Sequence, residues 1–196
     1  MSDVGFAQIA ATAARAFLAR GFQGVSLRAL ASDLGIQAAS LYHHCPGGKA
    51  ELYIRSLQWF LDGYAERLSA ARGRAAFPES ILRMAAFTVG ENHVDVRRIV
   101  TADLPNLPAR EQSALSSSVH DALLRPFVEE FESARQNGKV RSRLDCSLAA
   151  ACVLAVADNL GPLHLPNGAA SSPEELAAVE KLVRKGVSLL LDGTRP

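Results

Sequence analysis

Apolar residues return every three or four positions along almost the whole chain, and strict apolar–polar alternation over six or more residues is hard to find. That period constrains the fold more than any other feature. A face repeating every ~3.6 residues packs as a helix and cannot lie along a strand. Ala, Leu, Arg and Glu, all good helix formers, fill the segments between breakers. Helices are expected at about 3–20, 26–34, 37–43, 48–71, 78–92, 94–102, 110–137, 145–160 and 173–191. Gly21, Gly35, Pro46-Gly47-Gly48, Phe77-Pro78, Pro105, Pro108 and Gly138 separate them. GPLHLPNGAASS, at 161–172, is the one long loop expected. Ser172, Pro173 and Glu175 then spell a helix start, with a hydroxyl cap, a proline in the first turn and a carboxylate three residues past the cap. The chain reads as all-α, with about nine helices.

A length of 196 residues at 48% hydrophobic allows a substantial core. No apolar run approaches the ~18–20 residues that span a bilayer, so no membrane partner is expected. The opening MSDVGFAQIAATAARAF carries Asp3 and no basic leader, unlike a secretory signal. Cys45, Cys146 and Cys152 are too few, and odd in number, for a disulfide framework, which points to a cytoplasmic protein. The net charge of +1 is unevenly placed: through Arg74 eight Lys/Arg face five Asp/Glu, and thereafter thirteen face fifteen. A basic head on an acidic body permits polyanion binding at the N-terminal end.

The first fifty residues hold the most specific pattern. Phe6, Ile9, Ala10, Ala13, Ala16 and Phe17 make one helical stripe that ends at Gly21. Ser26 is a natural cap for a helix whose inward face is Leu27, Leu30, Ala31 and Leu34, and Gly35 supplies the tight turn. A stubby helix at 37–43 follows, with Ala39 and Leu41 as its inward residues and Gln37 and Ser40 facing out. Helix, glycine turn and short second helix make a helix-turn-helix, whose second helix enters the major groove of DNA.

The run IAATAARAFLARGFQGVSLRALASDLGIQAASLYHHCPGGKAELY, from Ile9 to Tyr53, closely resembles the N-terminal DNA-binding domain of the TetR family of transcription regulators. It carries GF-x-G-V-S-L-R, the A-x-x-L-G-I turn, S-L-Y-H-H and the P-G-G-K helix start, in order and without gaps. The resemblance implies that Ser26 and Arg28 touch phosphate and a base, that Gln37, Ala38 and Ser40 face bases, and that Tyr42, His43 and Lys49 hold the phosphodiester backbone. Physical chemistry agrees: a phenol and an imidazole donate to phosphate, and a lysine supplies charge. The family usually has phenylalanine where this chain has Cys45. The void this leaves should be filled by neighbours such as Phe22, and a thiol so close to basic groups raises the question of a redox role.

The same resemblance implies a head at 1–50 and an effector-binding, dimerising body at 51–196, with a long helix from Gly48 linking the two. Residues of the kind that line a mixed pocket are Trp59, Phe60, Tyr64, Met84, Phe87, His93, His120, Phe127 and Phe131, and a subset of them should meet a small-molecule effector. Two closing stripes, Leu148, Ala149, Cys152, Val153, Val156, Leu160 and Leu176, Val179, Leu182, Val183, Val187, Leu190, would pair with a second copy. A homodimer suits a palindromic, double-stranded operator. No phosphate loop, nucleophile elbow or Cys-x-x-Cys pair is present, and the histidines make poor chelating sets. No catalytic residue, metal or cofactor is therefore expected. The function expected is a ligand-responsive DNA-binding regulator, most simply a repressor released from its operator by a small molecule. The rival is an all-α ligand-binding protein or enzyme that uses the helix-turn-helix only as scaffold.

Overall fold

The structure, a computed structural model, describes residues 5–89, 93–164 and 172–194, with only the backbone given at 161, 162 and 164. Ten α-helices and no strand occur among the described residues. The expected helical positions 3–4 and 90–92, and loop positions 165–171, lie outside them. The chain gathers into two compact units, one of residues 1–63 and 95–119, the other of residues 64–94 and 120–196. The first unit therefore holds a stretch after residue 94 that the sequence reading leaves in the body.

The first unit opens with α1 (Phe6–Arg20), α2 (Leu27–Asp33) and α3 (Ala38–His44). Ile9, Ala10, Ala13, Ala14 and Phe17 form the buried face of α1. Gly24 sets the turn into α2, since a methyl there would lie 2.3 Å from the Arg20 carbonyl oxygen. The Ser26 hydroxyl accepts the Ala29 N–H at 3.5 Å, which caps α2. At its other end Gly35 takes φ +66°, its N–H bonds the Ser32 carbonyl, and the Ile36 N–H reaches back to Ala31. That doubly bonded end stops α2 and turns the chain into α3. α4 (Gly48–Arg72) follows, and its first part, with Leu52, Tyr53 and Leu57 buried, completes this part of the unit.

The later part of the first unit departs from the single helix expected at 94–102. A short α6 (Val96–Arg98), capped by the Asp95 carboxylate on the Arg98 N–H at 2.8 Å, widens into a π turn at Ile99–Asp103 and then tightens to a 3₁₀ turn at Leu104–Asn106. Such irregular turns often mark functional positions. α7 (Ala109–Leu123) begins in this unit.

The second unit holds the rest of α4 and α7 with α5 (Glu79–Phe87), α8 (Arg125–Gln136), α9 (Cys146–His164) and α10 (Pro173–Asp192). α5 packs on α8, α9 and α10, and α9 packs on α8 and α10. One helix was expected at 110–137; two are found, because Pro126 has no N–H to continue the ladder and falls in the first turn of α8. The Ser172 hydroxyl caps α10 by accepting the Glu175 N–H at 3.2 Å, as its sequence indicates. Glu130 is buried and its two oxygens accept from Ser80 Oγ at 2.6 Å and Arg72 Nε at 2.7 Å, so its charge is fully partnered.

Candidate nucleic-acid interface

Packing decides which side of α3 faces outward. Leu41 and Cys45 are buried, so Tyr42 and His43 lie on the exposed side together with Ala39, which was expected to face inward with Leu41, and Gln37 is exposed at the leading end. Gln37 occupies the cap position of α3 without a side-chain cap bond. Ala38 and Ser40 are half-buried at the sides. Ser26 and Arg28 are exposed at the start of α2. Tyr42 is 52% exposed, and its ring edge lies beside Gly48, where a methyl would sit 3.7 Å from Cε1. The His43 and His44 rings meet edge to face at 5.8 Å. Lys49 Nζ stands 4.7 Å over the Phe22 ring and donates to the Gln23 carbonyl at 3.5 Å, which places its charge beside the turn before α2.

Two polar assemblies brace this surface, and neither is evident from the sequence pattern. In the first, Arg55 Nη1 donates to the His44 carbonyl at 2.6 Å and to Glu51 Oε1 at 3.2 Å, while Glu51 Oε2 accepts the Gly47 N–H at 2.7 Å. The guanidinium also lies 3.9 Å from the Phe6 ring centroid. One side chain thus ties α1, the end of α3 and the start of α4. Its Nη1 comes within 3.8 Å of Cys45 Sγ. Arg55 therefore occupies the neighbourhood expected to be filled by Phe22. Phe22 instead packs with Tyr53 at 5.3 Å and Phe17 at 6.4 Å. Burial pushes the Cys45 thiol up, against the pull of Arg55, and so disfavours the thiolate that oxidation requires.

The second assembly centres on Asp103, which the π turn directs into the unit and which is only 3% exposed. Its Oδ1 accepts the Phe22 N–H at 2.8 Å and its Oδ2 accepts the Tyr53 hydroxyl at 3.1 Å. Arg98 Nε stands 3.8 Å from Oδ2, an ion pair, while Arg98 Nη2 donates to the carbonyls of Leu18 and, at 3.5 Å, Phe17. Gln23 Nε2 donates to Asn106 Oδ1. The end of α1, the turn before α2 and the middle of α4 are all fastened to residues 98–106. Desolvation, then the Asp103 charge, pushes the Tyr53 phenol far above its ordinary range.

The effector-pocket candidates scatter. Trp59, at 43% exposed, and Phe60, half-buried, fall on the first-unit part of α4, and His120 is exposed. In the second unit Tyr64, Met84, Phe127 and Phe131 are buried. The Tyr64 and Phe87 rings meet at 5.3 Å, and His93 Nδ1 lies 3.6 Å from Asp158 Oδ1. A cleft of about 340 Å³ in this unit is lined by Phe77, Pro78, Leu82, Gly138, Lys139, Ser188 and Leu191, and none of the nine candidates lines it. No cluster of three or more potential metal ligands occurs among the described residues, and no described helix is long and apolar enough to cross a membrane.

Residues 9–55 match the family described as bacterial regulatory proteins, tetR family. That stretch of the chain belongs to the TetR family. Over 185 residues it is 24% identical to the HTH-type transcriptional repressor KstR2 of Rhodococcus jostii (strain RHA1), covering 92% of this chain and 86% of that protein. The fold is similar to that of the transcriptional regulator FadR from Bacillus subtilis in complex with stearoyl-CoA, with a TM-score of 0.70 at 16% identity, covering 97% of this chain and 100% of that one. It is also similar to AibR in complex with isovaleryl coenzyme A and operator DNA, with a TM-score of 0.64 at 21% identity, covering 89% of this chain and 95% of that one. The likeness to these solved structures shows the all-α fold.

Proposed function

We propose that this TetR-family chain is a ligand-responsive repressor that binds a palindromic operator as a homodimer and leaves it when a small molecule binds. The observation that carries the reading is the set on α2, α3 and the start of α4, with Ser26, Arg28, Gln37, Tyr42 and His43 exposed and Ala38, Ser40 and Lys49 half-buried, which includes hydroxyls, an amide, a phenol, an imidazole and two cations. On this reading Arg28, Tyr42, His43 and Lys49 neutralise or bond phosphates, which makes affinity fall steeply with salt. The similar repressor KstR2 and the operator-bound AibR support the assignment.

The small molecule belongs on the second unit, which holds the buried candidates Tyr64, Met84, Phe127 and Phe131 together with Phe87 and His93. FadR with stearoyl-CoA and AibR with isovaleryl coenzyme A make acyl thioesters of coenzyme A the first class to try. Helices α4 and α7 each begin in the first unit and end in the second, so a ligand that shifts either one pulls on chain continuous with the head.

Pairing of two copies is assigned to α9 and α10. Leu148, Leu163 and Leu189 are 62%, 76% and 76% exposed, and α9 presents Leu148, Ala151, Ala155, Asn159 and Leu163 along one open face. That face is narrower than the stripes expected from sequence. Ala149, Val153, Val179, Val183 and Val187 are buried inside the protomer. The test is selection of bound fragments from genomic DNA at ~0.15 M salt, followed by challenge with short- and long-chain acyl-CoA. An enriched palindrome released by one of these thioesters is expected; binding no better than to bulk DNA, with and without ligand, would sink the reading.

A further inference from the structure

We propose that α3 reads A·T base pairs, with Gln37 setting an adenine and Ala39 an adjoining thymine. The inference rests on the repressor reading above and deepens it by stating what sequence the operator carries. Readout in the major groove is a matching of chemistry. Guanine offers two acceptors, O6 and N7, which call for a two-armed donor such as Arg or Lys. Adenine offers a donor beside an acceptor, which an amide matches with both of its ends, and thymine offers a methyl group that calls for an apolar contact.

The α3 segment, AASLYHH after Gln37, contains no Arg, Lys, Asn, Asp or Glu. With Leu41 and Cys45 buried, the helix is held so that Ala39 is exposed while Ala38 and Ser40 beside it are half-buried. Gln37 is exposed, and its side chain makes no cap bond to α3. Its main-chain carbonyl takes the Ser40 N–H at 3.0 Å instead. The helix start is thus served by backbone, and both arms of the amide stay available to a base. Tyr42 and His43 are exposed at the far end of α3, with the Tyr42 ring beside the Gly48 helix start, and are left for the sugar–phosphate backbone. The base-reading part of α3 therefore reduces to one amide and small methyl-bearing side chains, with the Ser40 hydroxyl beside them. Any guanine in the half-site falls to Arg28, exposed on α2, which the resemblance places at a base as well as at phosphate.

The test uses the full-length protein and randomised duplex DNA, with wild type, Gln37→Ala and Ala39→Ser selected in parallel. The recovered half-site is then resynthesised with 7-deazaadenine, which lacks N7, or with deoxyuridine, which lacks the thymine methyl. The expected half-site holds adjacent A·T pairs. Gln37→Ala should relax preference at one adenine and weaken binding about 5- to 100-fold, the range of a two-armed base contact. Replacing that adenine by 7-deazaadenine should weaken wild type but not Gln37→Ala. Deoxyuridine at the neighbouring thymine should weaken wild type several-fold and leave Ala39→Ser less affected. A half-site whose positions governed by Gln37 and Ala39 are G·C, or whose sequence both variants leave unchanged, overturns this assignment while the repressor stands. Failure of wild type to enrich any sequence overturns both. Each variant's helical circular dichroism and dimer mass confirm that lost binding is not lost fold.

Discussion

Asp103 shows how one side chain can set the geometry of a surface it never reaches. Both its oxygens are used, and its removal strands the Phe22 N–H, the Tyr53 hydroxyl and the Arg98 guanidinium inside the first unit. Asp103→Ala should cost about 2–4 kcal/mol, since buried groups left without partners lose their full desolvation cost. A lowered urea midpoint checks this, and operator affinity should fall with it because the turn before α2 loses its anchor. Nothing in the sequence points to Asp103. Its partners are 81 and 50 positions away, and an acidic residue after VRRIVTA reads as a solvated one. Gly24, by contrast, is legible as part of the GF-x-G-V motif, and the 2.3 Å approach to the Arg20 carbonyl gives the reason. Gly24→Ala should destabilise by more than 1 kcal/mol, because backbone has to move to admit the methyl; thermal unfolding would show it.

At the scale of elements, the helices that carry local signals were readable and those shaped by distant contacts were not. α2 and α3 come with a serine cap, a positive-φ glycine and a short apolar face, all encoded within about ten residues of one another. The proposed contact residues on them stand inside that local pattern, whereas the i, i+4 spacing of Glu51 and Arg55 carries no local sign of a brace. The π turn at Ile99–Asp103 has no comparable local signal. Its wider winding follows from fastening Asp103 and Arg98 to three other segments. On α9 and α10 the apolar stripes were seen but their two faces could not be told apart, because Ala and Val suit burial against either α5 or a second copy. Gly186 marks the crossing of these two helices: a methyl there would lie 2.7 Å from Leu160 Cδ1 and 2.9 Å from Val156 Cγ1. Gly186→Ala therefore trades a gain of about 1 kcal/mol in helix propensity against overpacking of about 1–3 kcal/mol, and a net loss is expected in chemical denaturation.

For the whole molecule, pH and self-association give the cleanest readouts. Burial holds the Tyr53 and Tyr64 phenols protonated well past the ordinary value of 10.0, with Asp103 adding to the effect at Tyr53. The unfolded chain releases these protons near pH 10 while the folded one keeps them, so stability is unaffected below that pH and falls above it. The slope approaches about 1.4 kcal/mol per pH unit for each phenol. Phenolate absorbance from two of the three tyrosines should appear only together with loss of helical signal. On the acid side, Arg184 and then Arg83 hold Glu79 below its ordinary 4.5, a contribution present above that pH and lost as pH falls through the lowered value. With Glu79 41% exposed, water screening keeps that contribution small. Leu163→Asp with Leu189→Asp should yield a folded monomer by sedimentation that binds a full palindrome far more weakly than wild type. The Asp103 anchorage also bears on how such regulators can be recombined. A DNA-reading head cut at residue 63 and grafted onto another sensor would leave behind the carboxylate that seats its first turn. Swapping specificity in this chain therefore means exchanging single residues on α3, or moving 95–119 together with the head, so that the unit of inheritance is spatial and not a contiguous stretch of gene.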